Sequence, residues 1–108
     1  MNGAGLRIRE MAEFSRAAAR LFDPSERIGL FAFLAVNPLA GVVIPGTGGV
    51  RKLRWGAMGR GKRGGARVIY FYKSQEGILY LMSAYSKSRK ADLTETEKRA
   101  LRRVVARL

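Results

Sequence analysis

The sequence predicts a small α+β domain in which an N-terminal helical hairpin packs on a small antiparallel sheet and a third helix closes the chain. Apolar residues recur at helical spacing before residue 35 and again after residue 100. Strand-like runs separated by glycine-containing links occupy most of residues 50–86. The 108 residues are 47% apolar, which suffices for one hydrophobic core. We therefore expect a single domain over residues 1–108.

The first elements are a strand and two helices. A short strand is expected over Leu6 to Arg9. The apolar face of the first helix consists of Phe14, Ala17, Ala18 and Leu21, at the spacing i, i+3, i+4, i+7. Asp23, Pro24 and Glu26 form a helix-start signal with a capping box, and Asn37-Pro38 ends that second helix.

Three strands and a helix follow. Gly41 to Gly49 is expected to be a loop around a short apolar segment. The strands are expected at Val50 to Met58, Ala66 to Lys73 and Gly77 to Ser86, and the short link between the last two predicts an antiparallel hairpin. A basic, glycine-rich loop separates the first two strands. Thr94 and Glu97 then form a capping box before a helix with an apolar stripe at Leu101, Val104, Val105 and Leu108.

The amino-acid composition excludes several kinds of site. The chain contains neither Cys nor His, which rules out disulfides, thiolate zinc sites and histidine-based catalytic triads. Its eight carboxylates are scattered and supply a two-metal nuclease poorly. We therefore expect no metal and no cofactor, and any catalysis must use Lys, Arg, Tyr or Ser.

The charge points to a polyanionic partner. Twenty-one Lys and Arg residues against eight acids give a formal net charge of +13. From Arg27 to Gln75 there are nine basic residues and no acidic one, and seven of the nine lie between Arg51 and Arg67. Cations near phosphates release counterions, so nucleic acid is the favoured partner. The longest apolar run, Ile28 to Val36, is far too short to span a bilayer, and we expect a cytoplasmic protein without a membrane partner.

Several cations fall where they could bind phosphate. Strand alternation places Lys52 and Arg54 on one face, where two like charges repel unless an anion lies between them. Arg67 begins the most apolar strand. It is either a phosphate ligand or a charged residue that keeps the end of the strand soluble. The basic loop carries Arg60, Lys62 and Arg63, which could follow a nucleic-acid backbone or simply be solvated. Of the tyrosines, Tyr70 and Tyr80 are expected in the core and Tyr85 is the better functional candidate.

Three blocks of the chain resemble toxins of the RelE/HigB superfamily of bacterial toxin–antitoxin pairs. These blocks are VIPGTGGVRKLRW (Val43–Trp55), GKRGGARVIY (Gly61–Tyr70) and YSKSRKADLT (Tyr85–Thr94). The resemblance extends from about Phe14 to the C-terminus, and it is strongest to the HigB branch that pairs with a helix-turn-helix antitoxin. It implies the RelE-like fold, and cleavage of mRNA in the ribosomal A site as the usual activity.

The resemblance also implies site residues. Lys52 and Arg54 match two basic residues of the family's cationic strand, Arg67 matches the arginine that opens the next strand, and Lys87 matches a later basic position. RelE has a catalytic tyrosine near its C-terminus, whereas the last aromatic residue of this chain is Tyr85, so either Tyr85 substitutes for it or cations act alone. The expected RNA-binding residues are Arg51, Arg60, Lys62, Arg63, Arg89 and Lys90.

The expected function is that of a metal-independent endoribonuclease, an mRNA interferase that inhibits translation. RNA supplies the nucleophile through its 2′-hydroxyl, and the protein must move protons and stabilise the phosphorane. A lysine among other cations gives up its proton more readily and could act as the base. The expected partners are mRNA, the ribosome and a HigA-like antitoxin, with DNA bound only through the antitoxin. The alternatives are a ParE-like gyrase inhibitor and a non-enzymatic RNA- or ribosome-binding module.

Overall fold

The structure, a computed structural model, describes residues 5–57 and 65–108. The elements in chain order are β1 (Arg7–Glu10), α1 (Ala12–Leu21), α2 (Pro24–Val36), β2 (Val42–Val43), β3 (Arg51–Trp55), β4 (Ala66–Lys73), β5 (Ile78–Ser86) and α3 (Glu95–Ala106). The strands form one sheet in the order β1-β5-β4-β3-β2. The predicted α+β class is confirmed.

Local signals set the helix boundaries as expected. The Asp23 carboxylate accepts a hydrogen bond from the backbone N–H of Glu26, and the Glu26 carboxylate accepts one from the N–H of Asp23. Thr94 and Glu97 form the same reciprocal pair at the start of α3. Each box satisfies backbone donors that would otherwise lack a partner at the first turn.

The sheet separates two hydrophobic clusters. One face of β4 presents Ala66, Val68 and Tyr70 to the cluster beneath α1 and α2, and the opposite face presents Ile69 to a second, smaller cluster. Helix α3 lies over that second cluster through Leu101 and Val105, and none of its residues is fully buried. The larger core packs against one face of β4 and β5. Polar side chains at the strand ends therefore lie on the opposite face.

A bulge in β5 decides which side chains share that opposite side. Ile69 pairs with Ser83 whereas Tyr70 pairs with Leu81, so Met82 is the extra residue. Side chains alternate between faces along a strand, and one extra residue reverses the alternation beyond it. Tyr85 therefore lies on the face of Arg67, its Cα partner, and packs against the second cluster.

Three expectations about the sheet need correction. The sheet is mixed, because β1 pairs parallel to β5 while the other neighbours are antiparallel. The expected loop from Gly41 to Gly49 contains β2, whose two valines pair with β3. Strand β3 ends at Trp55 instead of Met58.

The basic loop predicted from Gly59 to Gly65 falls, apart from Gly65, outside the described residues. Within the described ranges, no helix combines the length and apolar character required to cross a membrane.

Candidate phosphate-binding cleft

A hydrogen-bonded anchor fixes the loop that forms one wall of the cleft. The buried Tyr70 hydroxyl donates to the carbonyl oxygen of Pro38 at 2.9 Å and accepts from the N–H of Gly41 at 2.8 Å. The Arg51 guanidinium donates to the carbonyl oxygens of Leu39 (3.1 Å) and Gly41 (2.8 Å). Burial raises the pKa of the Tyr70 hydroxyl, which keeps it a neutral donor. These bonds hold residues 38–41 against the sheet and position β2 beside β3.

Gly41 itself requires close approach to Tyr70. A Cβ at residue 41 would lie 2.8 Å from a ring carbon of Tyr70 and 3.0 Å from the carbonyl oxygen of Lys52. A side chain there would push the loop away from the sheet, so only glycine allows this wall to close.

Four of the five predicted catalytic residues line one cleft of about 600 Å³. They are Lys52 and Arg54 of β3, Arg67 of β4, and Lys87 just after β5. The register places the Cα of Arg54 opposite that of Arg67. Like charges on directly opposite residues destabilise a sheet by roughly 0.2–1 kcal/mol unless an anion lies between them. The arrangement is therefore suited to binding a phosphate.

Arg67 is the most unusual residue of the cleft. It is only 5% exposed, and the single hydrogen bond of its side chain within the described ranges is a long one, 3.4 Å from Nη1 to the carbonyl oxygen of Ala66. It forms no salt bridge with any described residue. Buried charges are ordinarily paired, because removing a charge from water is costly. A buried guanidinium that lines a cleft and is not paired with a described carboxylate is a ready ligand for an incoming anion.

Asp92 is the cleft residue that sequence reasoning missed. Its Oδ1 lies 3.2 Å from the Nζ of Lys52 and accepts a hydrogen bond from the N–H of Leu93 at 2.8 Å. The Leu93 hydrogen bond and the neighbouring Lys52 lower the pKa of the Asp92 carboxyl, which is therefore ionised at neutral pH. The carboxylate is thus an anion beside Lys52, whereas the expected anion between Lys52 and Arg54 was a phosphate. Its position within the Tyr85–Thr94 block was the only sequence signal.

Tyr85 does not line this cleft. Its hydroxyl is buried and has no hydrogen-bond partner among the described residues, and the ammonium of Lys90 lies over the ring, 5.5 Å from the ring centroid. Burial and then the Asp92 carboxylate raise the pKa of Tyr85, while Arg67 acts in the opposite direction. In this conformation the hydroxyl is not accessible to a substrate, so the geometry favours a packing role beside Arg67.

The predicted RNA-binding residues are distributed over several places. Arg51 lies on the opposite face of the sheet, where it holds the loop described above. Arg89 is exposed in the turn after β5, and Lys90 forms an ion pair with Glu97. Arg60, Lys62 and Arg63 lie outside the described residues. Their RNA-binding roles stay predictions.

The part of the chain that carries this cleft matches the model of a known protein family. Residues 45–108, more than half of the chain, match the family model described as "RelE toxin of RelE / RelB toxin-antitoxin system". All four cationic cleft residues and Tyr85 lie within the match, whereas β1, α1 and α2 precede it. Toxins of this family generally inhibit translation and are generally endoribonucleases. The chain therefore belongs to the RelE toxin family and is a toxin of a toxin–antitoxin pair, with an antitoxin as its partner.

Proposed function

We propose that this toxin is a ribosome-dependent mRNA endonuclease that inhibits translation by cutting mRNA in the cleft around Arg67. The observation that carries the proposal is the burial of Arg67 without a carboxylate partner in the described part of the chain. A phosphodiester would supply the missing anion. The nearby Arg54, Lys52 and Lys87 would contact the same phosphate or its neighbours.

The proposed reaction uses the substrate's own nucleophile. The 2′-oxygen attacks the adjacent phosphorus in line with the 5′-oxygen, the bond to the 5′-oxygen breaks, and a 2′,3′-cyclic phosphate results. The protein must accept the 2′-hydroxyl proton, deliver a proton to the 5′-oxygen and stabilise the extra negative charge in between. The ribosome would hold the message in the geometry for in-line attack, so a small set of residues suffices.

The cleft residues divide naturally among these tasks. Arginine remains protonated in proteins and presents a planar fork of donors, so Arg67 and Arg54 are proposed to stabilise the phosphorane. Lysine can exchange a proton, so Lys52 and Lys87 are proposed for proton transfer, with Lys52 the first candidate. A cleft with four cations repels a divalent metal, which supports a metal-independent reaction without a cofactor.

The proposal extends to the partner and the setting. We propose a HigA-like antitoxin with a helix-turn-helix domain, so that the toxin meets DNA only through it. Neutralising a protein of formal net charge +13 favours a partner that contributes carboxylates. We further propose that residues 1–108 form one toxin domain that acts in the cytoplasm, where its ribosomal substrate is found.

The test compares mRNA cleavage with and without translation. Wild-type protein is added to a purified translation reaction and to the same mRNA without ribosomes, and cuts are mapped by primer extension. The proposal predicts cuts at codons in the A site that appear only when ribosomes translate. Uncut message with gyrase trapped on DNA would support the ParE-like alternative. Ribosome binding without cleavage or toxicity would support the binding module, and either result would overturn the enzyme.

A further inference from the structure

A second cleft of about 620 Å³ lies beyond the turn that follows β5. Its basic residues come from two distant parts of the chain: Arg20 lies near the end of α1, and Arg89 and Lys90 lie in the turn, where Lys90 is paired with Glu97. Leu21 and the buried Ala57 provide an apolar part of its surface. Among the described residues that line it, none is acidic.

The two clefts are neighbours across a single stretch of chain. The second cleft is lined by Ser86, Ser88, Arg89 and Lys90, whereas Lys87, between them, and Ala91, directly after them, line the first. The turn is held by hydrogen bonds from the N–H groups of Arg89 and Lys90 to the carbonyl oxygen of Ser86, each 3.1 Å. An RNA strand crossing this turn would place successive nucleotides in the two clefts.

Arg20 has donors available for such a strand. It is exposed, and the one hydrogen bond of its side chain within the described ranges runs from Nη1 to the carbonyl oxygen of Arg16 at 3.2 Å. The Nη2 and Nε groups are therefore open to a phosphate. Arg20 lies in the last turn of α1, where a basic residue also interacts favourably with the helix dipole. The experiment must therefore distinguish a purely structural role of Arg20 from a role in RNA binding.

We propose that the second cleft binds the nucleotide adjacent to the cleaved phosphate, with its phosphate on Arg20 and Arg89 and its base against Leu21 and Ala57. The site would thus recruit α1, an element outside the residues matched by the family model. Its assignment as a flanking-nucleotide site rests on the proposed function, since that function identifies the first cleft as the site of cleavage.

The test measures binding of RNA that cannot be cut. Anisotropy of labelled 2′-O-methyl oligonucleotides, from dinucleotide to tetranucleotide, is recorded at low salt for wild type, Arg20→Gln and Arg16→Gln. Glutamine keeps a similar helix propensity, and Arg16 is an exposed arginine one turn away that does not line the cleft. Melting temperatures check the fold of each variant, and Arg89→Gln removes the other proposed phosphate ligand without altering α1.

The expected result is specific to the longer RNA. Wild type binds the tetranucleotide more tightly than the dinucleotide, and Arg20→Gln weakens tetranucleotide binding about tenfold, as for the loss of one charged hydrogen-bonding contact. The slope of log affinity against log salt falls by about 0.7–1. Arg89→Gln is expected to act in the same direction, and Arg16→Gln to remain within about twofold of wild type.

The outcomes separate this inference from the proposed function. Equal effects of Arg20→Gln and Arg16→Gln on tetranucleotide binding, or no dependence on length in wild type, would overturn the second site even if the toxin cuts mRNA. A selective loss in Arg20→Gln supports the RNA-binding cleft even if wild type never cuts on ribosomes, in which case the proposed function alone fails.

Discussion

Replacing Arg67 is expected to remove most mRNA cleavage while leaving the protein at least as stable. Arg67→Met retains an unbranched apolar stem in a position that is only 5% exposed, but removes the guanidinium. Arg67→Ala removes the same group and also creates a cavity, so methionine is the cleaner substitution. The perturbation is thus confined to one buried charge.

The size of the effect follows from what the guanidinium contacts. A preorganised donor aimed at developing transition-state charge contributes about 2.7–4 kcal/mol, which corresponds to a rate loss of about a hundred- to a thousandfold. The folded protein gains little from the same group, because its one described hydrogen bond is 3.4 Å long and no described carboxylate pairs with it. Its desolvation is therefore poorly compensated, and its removal should not lower the free energy of unfolding.

The assay pairs cleavage with stability. Initial cleavage rates come from primer extension in a purified translation reaction, and the free energy of unfolding comes from urea titration followed by circular dichroism. Arg102→Met, on the exposed face of α3, makes the same charge change away from the cleft and serves as the control. Arg67→Lys keeps the charge but loses the two-pronged geometry, and its rate should lie between those of wild type and Arg67→Met.

A folded Arg67→Met protein that cuts at nearly the wild-type rate would refute the catalytic role. A large loss of stability would refute the description of its charge as uncompensated.

Four further substitutions and a pH titration test the surroundings of the cleft. Tyr85→Phe removes a buried hydroxyl that has no hydrogen-bond partner in the described part of the chain, so the free energy of unfolding should rise by up to about 1–3 kcal/mol while cleavage stays near wild type. A large rate loss in a stable variant would instead identify a catalytic hydroxyl. Asp92→Asn removes the carboxylate that competes with phosphate for Lys52, so RNA should bind up to about fivefold more tightly, whereas Glu95→Gln, which does not line the cleft, should have little effect. The pKa of the Glu97 carboxyl is lowered mainly by the hydrogen bond from Lys90 and further by the hydrogen bond from the N–H of Thr94. The pKa of the Asp92 carboxyl is lowered as well. Folded-state pKa values below the ordinary 4.5 and 3.8 contribute stability that is complete above about pH 4.5 and is lost progressively as the pH falls below it. Melting temperatures measured between pH 6 and pH 3 should show this loss, and the melting temperature of Glu97→Gln should depend less on pH than that of wild type.

The elements that sequence reasoning placed correctly are those with local signals. Both capping boxes lie where the residue spacing put them, and β4 has the predicted bounds, Ala66–Lys73. Strand alternation also placed Lys52 and Arg54 on one face, and both line the cleft. These features depend on residues within one turn of a helix or on one strand, so the local sequence contains the information.

The features that were missed depend on contacts between distant residues. Strand β2 has only two residues, and it pairs with β3 beside a loop that Tyr70 and Arg51 anchor. The parallel direction of β1 is set by its pairing with β5, about seventy residues later in the chain. No short window of the sequence contains either partner.

The bulge at Met82 shows how one distant detail changes the interpretation of a candidate residue. Strict alternation along β5 would place Tyr85 on the same face as Leu79 and Leu81, in the larger core. The extra residue instead moves it to the face of Arg67, next to the cleft but with its hydroxyl buried. A sequence pattern of period two cannot reveal this reversal, because any single residue of the strand could be the one left unpaired.

The same cations explain why stability and activity should oppose each other at this site. Arg54 on β3 and Arg67 on β4 are directly opposite each other. In the described structure the carboxylate that lines the cleft, Asp92, pairs with Lys52 and not with either arginine. The fold thus tolerates repulsion and desolvation that a phosphate would relieve, as expected where residues are arranged for a ligand and not for the free protein. Neutral substitutions at Arg54 and Arg67 should therefore stabilise the free protein and weaken RNA binding together, whereas a purely structural arginine pair would lose stability and leave RNA binding unchanged.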